Sequence, residues 1–348
     1  RRQRQMCIRD SCNGFNMTQN DGGEYTMGMA YLAAWKGPVY EKDDPYGDNQ
    51  TNEDLTAVKH VQEMQIIESK DYEKIKEAVF KYGGVQTSIY NALRSSQSSS
   101  PYYNKSTDAY CYIGTEKPNH DVVIVGWDDS YSKDNFNTDL EGDGAFICQN
   151  SWGDNFGENG FFYISYYDTN IGTHNVVYTD IENTDNYDHI YQSDLCGWVG
   201  QLGYNKESIY GANVYTAESN QNLTAASFYA TGKDSEYQLY VVKNFEDESS
   251  LSNMTPVASG KLSNAGYYTI PFDKQIALDA GERYAVVLFI STPDAVHPLA
   301  IEYEADDATA DVVLDDGEGY VSANGFEWEN VKNVENCNIC LKAFSNDR

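Results

Sequence analysis

Ile147-Cys148-Gln149-Asn150-Ser151-Trp152-Gly153-Asp154-Asn155-Phe156-Gly157-Glu158-Asn159-Gly160-Phe161-Phe162-Tyr163-Ile164 holds a short apolar strand, a polar residue at its exit, a large aromatic, a glycine-rich turn and a second aromatic strand. Such a pattern is a β-hairpin with a wide loop. Upstream lies another apolar run, Val122-Val123-Ile124-Val125-Gly126-Trp127, entered directly from Pro118-Asn119-His120-Asp121. One strand therefore opens with an imidazole and another closes with an amide. If the two strands are neighbours, Asn150 fixes the tautomer and tilt of His120, and the other ring nitrogen acts as a base. Trp152 then covers the contact and keeps water off it.

The pair of segments "NHDVVIVGWDD" and "QNSWGDNFGENGFFYISY" resembles the His and Asn segments of papain-like cysteine peptidases, in family order and with compatible spacing. The resemblance implies that a Cys attacks the substrate, His120 is the base, Asn150 orients it and Trp152 shields the bond between them. It covers roughly residues 12–180. It further implies a substrate cleft edged by Gly22-Gly23, because only glycine lets an extended peptide's backbone approach so closely. Asn119 and Asp121, flanking His120, count among the implied substrate contacts. Asp121 stands where the family commonly has alanine, and either favours a basic substrate residue or is a strand-start surface acid. Phe156 stands where a second Trp is common, on the leaving-group side, and keeps that wall aromatic.

One departure concerns the nucleophile. The family carries it in a Gln…Cys-Gly-Ser-Cys-Trp segment, with the Cys at a helix N-terminus and the Gln in the oxyanion hole. No such segment occurs in the 348 residues. Cys12 matches a later loop, and Cys7 falls in Arg1 to Ser11, a basic stretch without helix or strand period that reads as a non-native scar. The expectation is a peptidase fragment that begins downstream of its catalytic Cys and is inactive alone. The alternative is a non-catalytic surface carbohydrate- or protein-binding protein with a degenerate peptidase scaffold. A structural adhesin with Tyr-rich surfaces, a third reading, would have no cleft.

Composition limits the partners. Lys and Arg number 24 against 54 Asp and Glu, a formal charge of −30, so nucleic acid and anionic membranes are repelled rather than bound. With 29 Tyr and 41% hydrophobic residues the chain is aromatic-rich and globular, not disordered. No stretch of about 18 apolar residues would span a membrane. Seven cysteines in no framework spacing do not form a disulfide scaffold, and Cys337-Asn338-Ile339-Cys340 reads as two small strand residues on opposite faces. Acidic pairs such as Asp306-Asp307 and Asp315-Asp316 lack EF-hand spacing and read as solvated surface. No metal or other cofactor is implied. His174, His189 and His297 lack ligand spacing and read as structural or exposed.

The chain changes character near residue 180. Before it, Met27 to Trp35 has helical spacing and stops at Gly37-Pro38. Asp71 to Tyr82 reads as an amphipathic helix capped near Ser69 or Asp71 and ended by Gly83-Gly84, with Val85 to Tyr90 a following strand. Residues 181–186 form a polar linker. From 187 to 348, short alternating runs separated by Gly, Asn, Asp and Pro turns read as an antiparallel β-sandwich. Its segments "GWVGQLGY", "GANVYTA", "SFYATG", "LYVVKN" and "ICLKAF" resemble the lectin-like sandwich that follows a papain-like domain in some bacterial surface peptidases. Trp198 and Trp328 either stack on sugars or pack the sandwich. The expected class is α+β, the β-rich half and part of the helical half of a papain-like domain (12–180) followed by an all-β sandwich. Expected partners are a peptide or protein substrate and a carbohydrate or cell-surface ligand, in a secreted or surface setting.

Overall fold

The computed structural model describes residues 14–17, 23–45 and 54–348. Gly22, Cys7, Cys12 and the stretch 1–11 lie outside the described residues. The chain divides into two compact units. One holds Gln65–Thr179; the other joins the described residues up to Met64 with Asp180–Arg348. The class is α+β, mostly sheet with few helices.

Helix α1 spans Tyr25–Ala33 and strand β1 spans His60–Ile67. Helix α2, Tyr72–Tyr82, starts where the Asp71 carboxylate accepts the Lys74 N–H at 3.1 Å and stops at Gly83, whose φ of 87° lies in the left-handed region. Its apolar stripe, Ile75, Ala78 and Val79, is buried. Six more strands build the sheet of this unit: β2 (Val85–Ile89), β3 (Tyr103–Asn104), β4 (Ala109–Tyr110), β5 (His120–Asp128), β6 (Ala145–Gln149) and β7 (Phe161–Ser165). They run antiparallel in the order β2, β5, β6, β7, and β4 then adds parallel to β7. The start of β8 (Asn175–Glu182) pairs with β2. Val122, Ile124, Phe146, Cys148, Phe162 and Ile164 alternate inward to form the core. Each such side chain contributes about 1.5–3 kcal/mol by leaving water.

The second unit is built on two antiparallel sheets. β11 (Ser208–Thr216), β13 (Ser235–Lys243), β14 (Thr255–Leu262), β16 (Arg283–Ser291), β18 (Gly319–Ser322) and β19 (Glu329–Asn330) form one, in the order β14-β13-β16-β11-β18-β19. The other contains β12 (Gln221–Ala230) between β15 (Ala265–Leu278) and β21 (Leu341–Asp347), with β9 (His189–Tyr191) on β21. β17 (Leu299–Glu302) pairs with β10 (Gly200–Leu202) and β20 (Asn338–Ile339). Ile209, Leu239, Val286 and Leu288 from the first sheet meet Leu223, Phe228, Leu341 and Ala343 from the second, so the period-2 patterns close on one core. The single strand expected around Ile339 is two, interrupted at Cys340, whose N–H turns to the Ala300 carbonyl. Cys337 joins the core and Cys340 is buried outside it. Trp198 and Trp328 are half-buried, against Tyr229 and Tyr210. His189 bridges Glu218 and Asp347, and His297 bonds the Gly203 carbonyl. Among the described residues no helix is long and apolar enough to cross a membrane.

A buried acid in this unit gives a pH-dependent stability. Glu302 is 1% exposed and accepts the Cys196 N–H at 2.7 Å and the Asn338 Nδ2 at 2.8 Å. Burial, reinforced by Asp194, pushes its carboxyl from an ordinary 4.5 up to about 8. Between those values the fold keeps a proton that the unfolded chain has released, so its contribution to stability is present below pH 4.5 and falls as pH rises towards 8. Glu302→Gln is expected to flatten the dependence of melting temperature on pH across this window. An unchanged slope would assign the dependence elsewhere.

Candidate active site

The site begins with the turn after β6. Asn150 N–H bonds the Gly160 carbonyl at 2.9 Å, and Gly160 N–H bonds the Phe156 carbonyl at 2.7 Å. The loop closes only because glycines stand at two tight places. At Gly157, φ is 56° and a Cβ would lie 2.1 Å from the Phe161 carbonyl oxygen; at Gly160, φ is 92°. Continuing the β5/β6 register past Val123 opposite Gln149 puts Asn150 opposite Val122, which shares a strand face with His120.

The two side chains meet there. His120 Nε2 and Asn150 Oδ1 are 2.9 Å apart. The same Oδ1 accepts the Ser151 backbone N–H at 2.7 Å, which fixes the oxygen end of the amide. Because that oxygen can only accept, Nε2 must carry the proton, and in the neutral ring the basic lone pair falls on Nδ1. Asn150 is 6% exposed whereas His120 is half-buried, so the bond is sheltered at its amide end while part of His120 stays accessible. The Trp152 ring lies 5.4 Å from the imidazole, tilted by 44°.

The other expected positions divide. Phe156 is 1% exposed, its ring edge-on to Trp152 at 5.3 Å and stacked on Tyr103 at 5.6 Å. It backs Trp152 from the core and presents no face of its own to solvent, because the turn folds it inward. Asp121 points to the face of β5 opposite His120, where it accepts Ser88 Oγ at 2.7 Å and Gln86 Nε2 at 2.9 Å. Gln86 in turn accepts the Tyr178 hydroxyl at 2.7 Å. Asn119 is exposed, and its Oδ1 accepts the Asn91 N–H at 2.7 Å, anchoring the approach to β5. Gly23 is exposed, just before α1 in the other compact unit.

The five described cysteines are all buried free thiols. Burial pushes Cys111 and Cys337 up to about 12 and raises Cys148, Cys196 and Cys340. A nucleophilic thiol needs the opposite displacement. Sequence spacing alone gave no sign of the Gln86–Ser88–Asp121–Tyr178 network, whose members come from three separate strands. Among the described residues no group of three or more His, Cys, Asp or Glu is placed to hold a metal ion.

Comparison with known proteins bears on the two halves of the chain. The model of the Lectin like domain matches residues 190–345. A structure of the clostridial cysteine protease Cwp84 after propeptide cleavage is similar over 100% of this chain and 88% of that one, with 27% identity and a TM-score of 0.85. A structure of the cysteine protease and lectin-like domains of Cwp84, a surface layer associated protein of Clostridium difficile, is similar over 99% and 78%, with 26% identity and a TM-score of 0.81. No curated protein matches the chain. The model of the Papain family cysteine protease matches residues 6–181, just over half of the sequence, and the protein belongs to that family.

Proposed function

We propose that this chain supplies the base and its orienting amide for peptide-bond hydrolysis by a Cys-His-Asn mechanism. The 2.9 Å contact of His120 Nε2 with Asn150 Oδ1 carries the reading. The tautomer it imposes lets Nδ1 take the proton of a cysteine thiol as the sulfur attacks the scissile carbonyl. The same nitrogen returns the proton to the leaving amine, and water then hydrolyses the acyl-enzyme. Asn150 keeps the ring aligned through both transfers, and Trp152 covers the bond. Neither step needs a cofactor.

The nucleophile is none of the five described cysteines, each buried with its thiol raised. The purified 348-residue chain is accordingly expected to show no turnover of a fluorogenic peptide or an unfolded protein. Turnover that His120→Ala abolishes would overturn this assignment. Reading the coding DNA ahead of the Cys12 codon tests whether a Gln…Cys-Gly-Ser-Cys-Trp segment is encoded there.

The same buried thiols favour a second reading, a binding protein on a degenerate peptidase scaffold. It predicts a clean start without that segment. In either case the sandwich acts as a binding module for a carbohydrate or other surface ligand. A setting outside the cell, at the surface, is supported by the likeness to Cwp84, described as surface layer associated. Asp121, already held by two donors, acts first as a tie between β2 and β5 and only through its remaining lone pairs towards a basic substrate residue.

A further inference from the structure

The sandwich unit carries a cavity of about 580 Å³ where the ends of β11 and β19 and the start of β16 meet the loop before β18. Its volume falls in the range of roughly 300–1,000 Å³ usual for small-molecule sites. Two cationic side chains, Arg283 and Lys332, line it together with Asp315, Asp316, Thr216 and Asn330.

The back wall is already satisfied and rigid. Arg283 pairs with Glu318, donates to the Glu246 carbonyl at 3.2 Å and lies over the Phe245 ring at 5.1 Å. The other Glu318 oxygen accepts the Tyr320 hydroxyl at 3.0 Å. The loop is pinned from below, since Asn338 Nδ2 lies 3.0 Å from the Val313 carbonyl and 3.3 Å from Asp316 Oδ1. At Gly317 a Cβ would come within 2.6 Å of Asn338 Oδ1, so the close approach requires glycine. Thr216, Asp315 and Asp316 remain exposed, and Lys332 is half-buried. The cavity therefore presents donors and acceptors side by side on a fixed frame.

That mixture selects the ligand's chemistry. An anion meets three carboxylates in a chain of charge −30. A divalent cation meets a guanidinium and an ammonium, and Glu318 has both oxygens engaged. An apolar ligand finds little to cover, since the Tyr215 hydroxyl is committed to the Leu341 carbonyl at 2.6 Å, leaving chiefly Val214. Neutral vicinal hydroxyls, each able to donate to a carboxylate and accept from an ammonium, fit both sets at once. We infer that this cavity binds a neutral, hydroxyl-rich saccharide, with Asp315 and Asp316 accepting from its hydroxyls and Lys332 donating to them.

The inference rests on the reading of the sandwich as a binding module, and the test separates the two. Calorimetric titration of the full chain with maltotriose, cellotriose, mannotriose, chitotriose and trigalacturonate is expected to find a neutral or N-acetylated member that binds with Kd of about 1 mM or tighter. The double variant Asp315→Asn, Lys332→Met, at exposed and half-exposed positions, and the cavity-filling Thr216→Trp are each expected to weaken it about tenfold or more. Binding undiminished in both variants would overturn the cavity and leave the binding module standing. Binding of trigalacturonate alone would overturn the chemistry. No binding of any of the five up to about 10 mM would overturn both the cavity and the saccharide reading of the sandwich.

Discussion

On the proposed mechanism, His120→Ala is expected to lower kcat for peptide hydrolysis by about 10³-fold or more in a preparation that contains a nucleophilic Cys, with little change in melting temperature. The large effect follows from the double duty proposed for it: on that mechanism the ring removes the thiol proton and protonates the leaving amine, and alanine does neither. The small stability effect follows from its position. His120 is half-buried at the first residue of β5, while Val122 and Ile124 on the same face are fully buried and carry the packing. Asn150→Ala should behave differently. It leaves His120 able to exchange protons, so the rate falls less, by about 10–100-fold. It also strips the half-buried Ser151 N–H of its acceptor, so stability falls more. Steady-state kinetics and thermal melts on the two variants check the crossed pattern. Retention of more than about a tenth of wild-type kcat by His120→Ala would remove it from the chemistry.

The residues that made this pair legible act locally. An imidazole at a strand start, an amide at a strand exit and glycines at 153, 157 and 160 are each readable from their neighbours, and register alone then joins His120 to Asn150. The ends of α2 were equally legible, because Asp71 and Gly83 satisfy backbone groups within one turn. Depth was less so. Phe156 has the sequence signature of a wall residue, yet the turn folds its ring into the core beneath Trp152. Asp121 reads as a lone acid until β2 brings Gln86 and Ser88 beside it, 35 and 33 positions away. Helix α1 presents a weak amphipathic pattern because most of its residues are buried, and Ala30 packs with Phe15 and Cys196, whose numbers are far apart. Periodicity reports which residues leave water; it does not report which partner they meet.

Lys342→Met is expected to destabilise the sandwich unit by about 3–5 kcal/mol, the cost of leaving a buried charge without its partner. Nothing in "ICLKAF" announces this, since a lysine in an apolar strand ordinarily points to solvent. Here Leu341 and Ala343 face the core between the sheets, and Lys342 turns to the opposite face, where it is 1% exposed. Its Nζ lies 2.7 Å from Asp194 Oδ1 and 3.1 Å from the Asp194 carbonyl, a partner 148 positions away and itself 0% exposed. Burial pushes the Asp194 acid up, and the ammonium opposes that shift. Methionine matches the lysine stem but removes the opposing charge, so Asp194 must either remain ionised without it or take up a proton. Exposed pairs such as Lys74 with Asp71 are screened by water and contribute far less. Asp194→Asn combined with Lys342→Met removes both charges and should recover most of the loss, because a buried pair replaced as a whole is often neutral in energy. Urea denaturation of the two variants against wild type reads the difference. A single variant within about 1 kcal/mol of wild type, or a double variant no more stable than the single, would mean that the pair is not what holds Asp194 and β21 together.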